Sequence, residues 1–310
     1  MSDNEKCCGH NSSRESSGHS NQKYPNETMR LLCERSSCRA FEDRPIDDKV
    51  MNQILEAGIH APTGGNLQPY SIIKIDRPET RAKLASLCGD QPWIASASSN
   101  LLFCIDLHRL NRWAELEMAP FTAAEQFRQF WISFQDVIIT AQNIVTAADA
   151  MGLGSVYIGT VLECFRDLKK ICRLPEMVFP VVLLCLGYPK VRPQRARKLG
   201  IDMIVHDEKY RDPDDEELRR AFDTKYPTWK WEITEERMTR MAEVCRRVHG
   251  EKFAEKCLAR IRENGCIRPA QIYFGLHYCA DEMTADNEEF VRIIEEFGFN
   301  WFKKFNIRSK

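Results

Sequence analysis

The 310 residues, 43% hydrophobic and 29% charged, suit a globular chain of one large domain or of one domain with an appendage. The 44 Lys and Arg against 45 Asp and Glu leave a formal net charge of -1, which gives no general attraction to nucleic acid or to an anionic membrane. The longest nearly apolar run, residues 178–188, is interrupted by Pro180 and is far shorter than the roughly 20 residues that cross a bilayer.

Residues 1–25 are rich in Ser, Asn, Gly and charge, too polar to offset the entropy of ordering, and read as a disordered tail. The tail lacks the apolar stretch of a secretory signal, so a cytoplasmic location is expected. The 13 cysteines include no Cys-x-x-Cys pair and read as free thiols of a reducing compartment. Cys7, Cys8 and His10 have metal-binding chemistry but no further ligands beside them, and no metal site is expected there.

From Asn26 onward the pattern becomes regular. Met29, Leu32 and Cys33 predict a first helix ending near Glu34. Pro45 and Asp47 open a second, with Val50, Ile54, Leu55 and Gly58 on its apolar side. Residues 61–69 form a loop broken by Pro62, Gly64, Gly65 and Pro69. Residues 70–75 and 101–106 read as strands. The longest periodic segment is 122–151, where Phe127, Trp131, Phe134, Ile138, Ala141, Val145 and Ala148 recur every three or four residues and Gly152 follows as a C-cap. That stripe, nearly free of charge, calls for a core or a partner surface. A short extended piece at 155–158, a helix at 164–174 stopped by Pro175 and a buried strand at 181–186 follow. Beyond His206 the chain is dense in Glu, Arg and Lys, with helices expected near 214–224, 234–248, 251–263 and 287–297. The expected organisation is a tail (1–25), a main domain (26–206) and a helical C-terminal extension (207–310).

Three segments carry chemistry. In Arg35-Ser36-Ser37-Cys38-Arg39, two guanidinium groups and hydroxyls between them can surround a phosphate. In 61–69, glycines permit close backbone approach to a flat ligand, and Asn66 and Gln68 each offer a donor and an acceptor to a pyrimidine-like edge. Each is also compatible with an ordinary turn. The third, residues 152–160, has Tyr157 where a dinucleotide-binding Gly-x-Gly-x-x-Gly needs its last glycine, and it follows a helix instead of a strand, so a Rossmann reading is rejected.

In this order the three segments resemble the nitroreductase family of FMN proteins, most closely its NADPH-preferring nitroreductases and flavin reductases. The resemblance runs from about residue 26 to 206. It includes Gly89-Asp-Gln91, Ala141-Gln142-Asn143, Leu174-Pro175 and Leu186-Gly187-Tyr188-Pro189. It implies an α+β fold, with a central mixed but mainly antiparallel sheet flanked by helices. It also implies that Arg35, Ser36, Ser37 and Arg39 hold the FMN phosphate and ribityl chain. Thr63, Gly64, Gly65 and Asn66 would line the flavin ring, Gln91 reach its polar edge, and Tyr157, Ile158 and Gly159 cover the other face. Arg195, Arg197 and Lys198 occupy the stretch where relatives place further phosphate-binding residues; only Lys198 falls on a usual basic position, and Ala196 replaces the other.

The resemblance further implies a homodimer with FMN at the subunit boundary and long helices packed across it. The expected activity is ping-pong hydride transfer from NADPH or NADH through flavin N5 to a small electron-poor acceptor such as a nitroaromatic, a quinone or a free flavin. Hydride transfer needs no protein acid or base, so no catalytic side chain is assigned, and His60 reads as a helix-end residue. Reductive dehalogenation, flavin breakdown and a non-enzymatic redox sensor stay open as alternatives on the same fold. In the extension, Trp229, Trp231, Tyr273, Phe274, His277 and Tyr278 read as an amphipathic wrap burying its own aromatics, and Cys245, His249, Cys257, Cys266, His277 and Cys279 match no zinc spacing.

Overall fold

The computed structural model describes residues 23–122, 125–283 and 286–301. Cys7, Cys8 and His10, with most of the tail, lie outside them. Two compact units are distinguished, one ending at Arg35 and one starting at Ser36.

The first unit contains α1 (Glu27–Glu34). Asn26 caps it, its side chain accepting the Met29 N–H at 2.9 Å. Arg30 bridges Glu27 and Glu34 on neighbouring turns. Arg35 closes the helix, its N–H donating to the Leu31 carbonyl.

The second unit is built on a four-stranded sheet of β1 (Tyr70–Ile75), β2 (Ser99–Asp106), β3 (Gly154–Ile158) and β4 (Val178–Gly187), in the order β1-β2-β4-β3. All three strand pairs are antiparallel, and a Ser37–Ser155 bridge adds a parallel contact outside β3. Central β2 and β4 are buried along their whole length, as continuous apolar runs require. Pro180 does not break β4. The register shifts at Phe103/Cys104, where Pro180 pairs with Cys104, so a bulge accommodates the missing N–H.

Helix α2 (Asp48–Ile59), capped by Asp47, buries Met51, Ile54 and Gly58. A Cβ at position 58 would lie 2.4 Å from Ile144, so glycine sets how closely α2 approaches the long helix. Sequence periodicity missed α3 (Pro78–Leu87), α4 (Pro92–Ser96) and α5 (His108–Leu116). The first two start on proline, which suits an initial helical position.

The long helix, α6 (Phe127–Ala150), begins later than periodicity predicts, after extended Gln126. It ends at Met151, and Gly152 turns the chain at φ +81°. Its apolar residues form two faces. Phe130, Val137, Ala141, Ile144, Val145 and Ala148 are buried, whereas Phe127 and Trp131 are 49% and 54% exposed and Phe134 and Ile138 each 38%.

After α7 (Phe165–Ile171) and α8 (Ile201–Ile204), the regular elements of the described residues are all helices. Asp214 and Glu217 form a capping box on α9 (Asp215–Lys225). Helices α10 (Glu235–His249) and α11 (Glu251–Asn264), joined at Gly250 with φ +82°, pack together, and α12 (Pro269–Gln271) runs into a π-helical turn at Ile272–His277. Met241, Cys245, Ala254, Ile261, Ile267 and Ile272 form a second core here, with Trp229 and Trp231 packed on it. Phe274 and Tyr278 are exposed, so the aromatics of this region are only partly covered. The chain then returns to the sheet: after α13 (Asn287–Glu296), Phe297 and Phe299 are buried in the first core against Phe179, and Phe299 also meets Phe130. Among the described residues no helix is long and apolar enough to cross a membrane.

Candidate functional site

Of the sequence-predicted residues, Ser36, Ser37, Arg39, Gln91, Tyr157, Ile158 and Gly159 fall at one edge of the sheet and Thr63, Gly64, Gly65 and Asn66 at the other. At the β3 edge, the Cys38 N–H donates to the Ser155 carbonyl at 2.9 Å beside the Ser37–Ser155 bridge. The approach depends on Gly154, where a Cβ would lie 2.6 Å from Cys38. The Ser36 hydroxyl donates to the Pro193 carbonyl at 2.8 Å. Next to it, Arg192 bonds Asp149 and the Leu153 carbonyl, tying this stretch to the end of α6. Arg39 is exposed, its guanidinium 5.6 Å from the Trp93 ring centre.

Gln91 belongs to the same edge. Its Nε2 donates to the Cys88 carbonyl (2.6 Å) and to the Thr160 hydroxyl (2.7 Å), which in turn donates to Cys88 O (3.2 Å). With its N–H groups so engaged, the side chain keeps a carbonyl oxygen as acceptor. Ile158 is buried and Tyr157 half-buried, while Gly159 is exposed and a Cβ there would meet nothing within 4 Å. The backbone beside Gln91 is therefore open to a flat ligand.

Thr63, Gly64, Gly65 and Asn66 lie at the other edge, in a tight turn leading into β1. Gly65 and Asn66 adopt positive φ (60° and 55°), a region glycine and asparagine tolerate. Gln68, at φ 48°, is held by more bonds: its N–H donates to the Thr63 hydroxyl, and Arg109 donates to the Gln68 and Tyr70 carbonyls. The Gly64 N–H donates to the Asp136 carboxylate on α6. Burial raises the Asp136 carboxyl above its ordinary value, and the Gly64 bond opposes that shift. Thr63, Gly64 and Asn66 are thus gathered with one another but not with Ser37, Arg39, Gln91 and Gly159.

The basic stretch is exposed, and Arg197 donates to the Thr224 carbonyl at the end of α9. The Tyr226 hydroxyl is shifted down by a hydrogen bond with Lys225, then by Tyr273, with a smaller contribution from the Lys198 charge. This places Arg197 and Lys198 beside the helical extension. His60 caps α2, its ring nitrogen 2.9 Å from the Glu56 carbonyl, as a helix-end residue does. Among the described residues the grouping with metal-ligand geometry is Cys279, Asp281 and Glu282, and Asp281 is already paired with Arg240 and Arg247. Sequence reasoning missed Asp136 and Thr160, whose partners lie 72 and 69 residues away and leave no local signal.

A model of the nitroreductase family matches residues 32–188, half of the chain. This chain belongs to the nitroreductase family. Among similar family members, the oxygen-insensitive NADPH nitroreductase of Salmonella typhimurium is 33% identical over 63% of this chain and 79% of its own. The NADPH-flavin oxidoreductase of Vibrio harveyi is 30% identical over 67% of this chain and 90% of its own. Of solved nitroreductase-like structures, that of Bacillus megaterium NfrA1 superposes with a TM-score of 0.64 at 29% identity, covering 89% of this chain and all of the other. That span includes most of the helical extension.

Proposed function

We propose that this nitroreductase-family chain is an FMN-dependent NAD(P)H oxidoreductase acting on small electron-poor acceptors, and that it works as a homodimer. The names of its relatives, an NADPH nitroreductase and an NADPH-flavin oxidoreductase, support the reaction class. One observation carries the assembly. The turn at 63–66 and the group Ser37, Arg39, Gln91 and Gly159 flank β1 and β3, separated by buried β2 and β4. Three strand spacings amount to about 14 Å of filled core. A single flavin ring cannot touch both groups of one chain, but a second copy can bring its own turn to the β3 edge. The exposed row Phe127, Trp131, Phe134 and Ile138 on α6, the helix that holds Gly64, offers the apolar surface for that pairing.

The residues present fit the cofactor. Half-buried Ser37 and exposed Arg39 are donors suited to a phosphate and a polyol chain, and Ser36, its hydroxyl given to the Pro193 carbonyl, holds the segment in place. Gln91, its N–H groups engaged, keeps a carbonyl oxygen that would accept from a ring N–H, and Gly159 leaves room for a planar face. Bound FMN would supply a two-electron carrier between the nicotinamide and the acceptor. The protein's part is to grip the phosphate, to orient the ring through Gln91 and Gly159, and to exclude water with Ile158 and the opposing Asn66 turn.

Absorbance provides the first test. Purified protein is expected to show flavin bands that bleach with NADPH, and colourless protein that takes up no FMN overturns the proposal. Mixing Arg39→Ala and Asn66→Ala chains tests the pairing. If the turn acts across the dimer, each mixed dimer has one site with both changes and one with neither, and since random 1:1 pairing makes about half of the dimers mixed, about a quarter of the flavin returns. If both groups act within one chain, no site is intact and none returns.

A further inference from the structure

Cys88 closes α3 and Cys164 immediately precedes α7, and their sulfurs are 3.9 Å apart. Both thiols are buried, at 0% and 4% exposure. A disulfide needs a sulfur separation of about 2.05 Å, so the two must close by a little under 2 Å. Each sits at a helix terminus, where local backbone can shift without breaking a run of helical bonds. The pair is also joined to the proposed flavin pocket: the Cys88 carbonyl accepts from both the Gln91 amide and the Thr160 hydroxyl. By contrast, Cys104 and Cys185 lie within central strands β2 and β4.

We propose that Cys88 and Cys164 are a redox modification site, a dithiol that peroxide closes to a disulfide, and that closure displaces Gln91 and Thr160 and loosens FMN. The link to flavin rests on the function proposed above; the disulfide itself does not. The chemistry balances with hydrogen peroxide as oxidant, which a reduced flavin generates on meeting dioxygen. The Cys88 thiolate attacks one peroxide oxygen, the O–O bond breaks, and hydroxide leaves and is protonated to water. The Cys164 sulfur then attacks the Cys88 sulfenic acid, the S–O bond breaks, and the departing hydroxide takes the Cys164 proton as a second water. Two thiols are oxidised by two electrons, and one peroxide is reduced to two waters. The order of attack follows from the surroundings. The Cys88 thiol is shifted down, chiefly by its hydrogen bond with Cys164 and further by Thr160, against the effect of burial, whereas Cys164 is shifted up by the same pairing and by burial.

The test treats FMN-loaded protein with a few equivalents of hydrogen peroxide, then alkylates free thiols under denaturing conditions and maps peptides by mass. The expected result is a Cys88–Cys164 cross-linked peptide, an FMN dissociation constant raised about tenfold, and recovery of both with dithiothreitol. Cys164→Ser is expected to keep the untreated turnover, form no cross-link, and accumulate oxidised Cys88. Full alkylation of both cysteines after treatment overturns the site. A cross-link with unchanged FMN retention overturns the coupling to the pocket. Because peroxide is added from outside, the peptide map reads even in protein that binds no flavin. A cross-link in colourless protein would therefore uphold the modification site while the functional reading fails.

Discussion

The Asp136 carboxylate accepts the Gly64 N–H through both oxygens, at 3.1 and 3.3 Å. The bond fixes the 63–66 turn to α6, and a hydrogen bond to a charged group contributes about 1.5–3 kcal/mol. Asp136→Ala is expected to leave the sheet intact and weaken FMN binding by about tenfold or more, measured by flavin fluorescence titration. Unchanged affinity would show that the turn is held without Asp136.

The same residue gives a pH dependence. Burial raises its carboxyl, so the folded chain holds this proton to higher pH than the unfolded chain. Stability then falls as pH rises between the ordinary carboxylate value and the raised one. Asp136→Asn keeps an acceptor for Gly64 and carries no titrating proton. Its melting temperature relative to wild type is expected to increase from about pH 4 upward and then level off. A difference that is flat with pH contradicts this.

Arg39→Ala removes an exposed guanidinium that lies over the face of the Trp93 ring. The circular dichroism spectrum is expected to be unchanged, while FMN co-purifies at a small fraction of wild-type occupancy. Arg39→Lys should recover only part, because an ammonium lacks the planar fork. Full occupancy in the alanine variant refutes the phosphate assignment.

Trp131→Glu places a charge in the exposed apolar row of α6. Sedimentation is expected to show a shift from dimer to monomer, with flavin lost in parallel. A monomeric variant that keeps its flavin would refute a site completed by the second copy.

Phe297 is fully buried and meets the rings of Phe179 and Phe165 at 5.1 and 6.5 Å. Phe297→Ala is expected to destabilise by about 3–5 kcal/mol, seen as an earlier urea midpoint. A loss below about 1 kcal/mol would mean that the returning segment only rests on the sheet.

The sequence located β1 and most of β2 and β4 as short apolar runs, and the main helices of the extension by apolar residues at helical spacing. It merged the two faces of α6, since Phe130 and Trp131 are equally apolar and only tertiary packing separates the inner residue from the outer one. It overlooked α3, whose apolar residues do not gather on one face, α4, which is 5 residues long, and α5, which is amphipathic but only 9 residues long. At the candidate site, the segments at 35–39, 61–69 and 152–160 stood out as types of residue at close spacing. What joins Asp136 to Gly64 and Thr160 to Gln91 is contact across the fold, and contact of that kind has no trace in a local window.

The return of Phe297 and Phe299 to the sheet bears on how the chain is made. During vectorial synthesis, β4 and α7 leave the ribosome more than a hundred residues before the aromatic rings that cover Phe179 and Phe165. Until then an apolar face of the nascent sheet is uncovered, a state prone to aggregation. The segment around Phe297 and Phe299 therefore serves as a latch, and chains released before it is made should be substrates for chaperones and proteases.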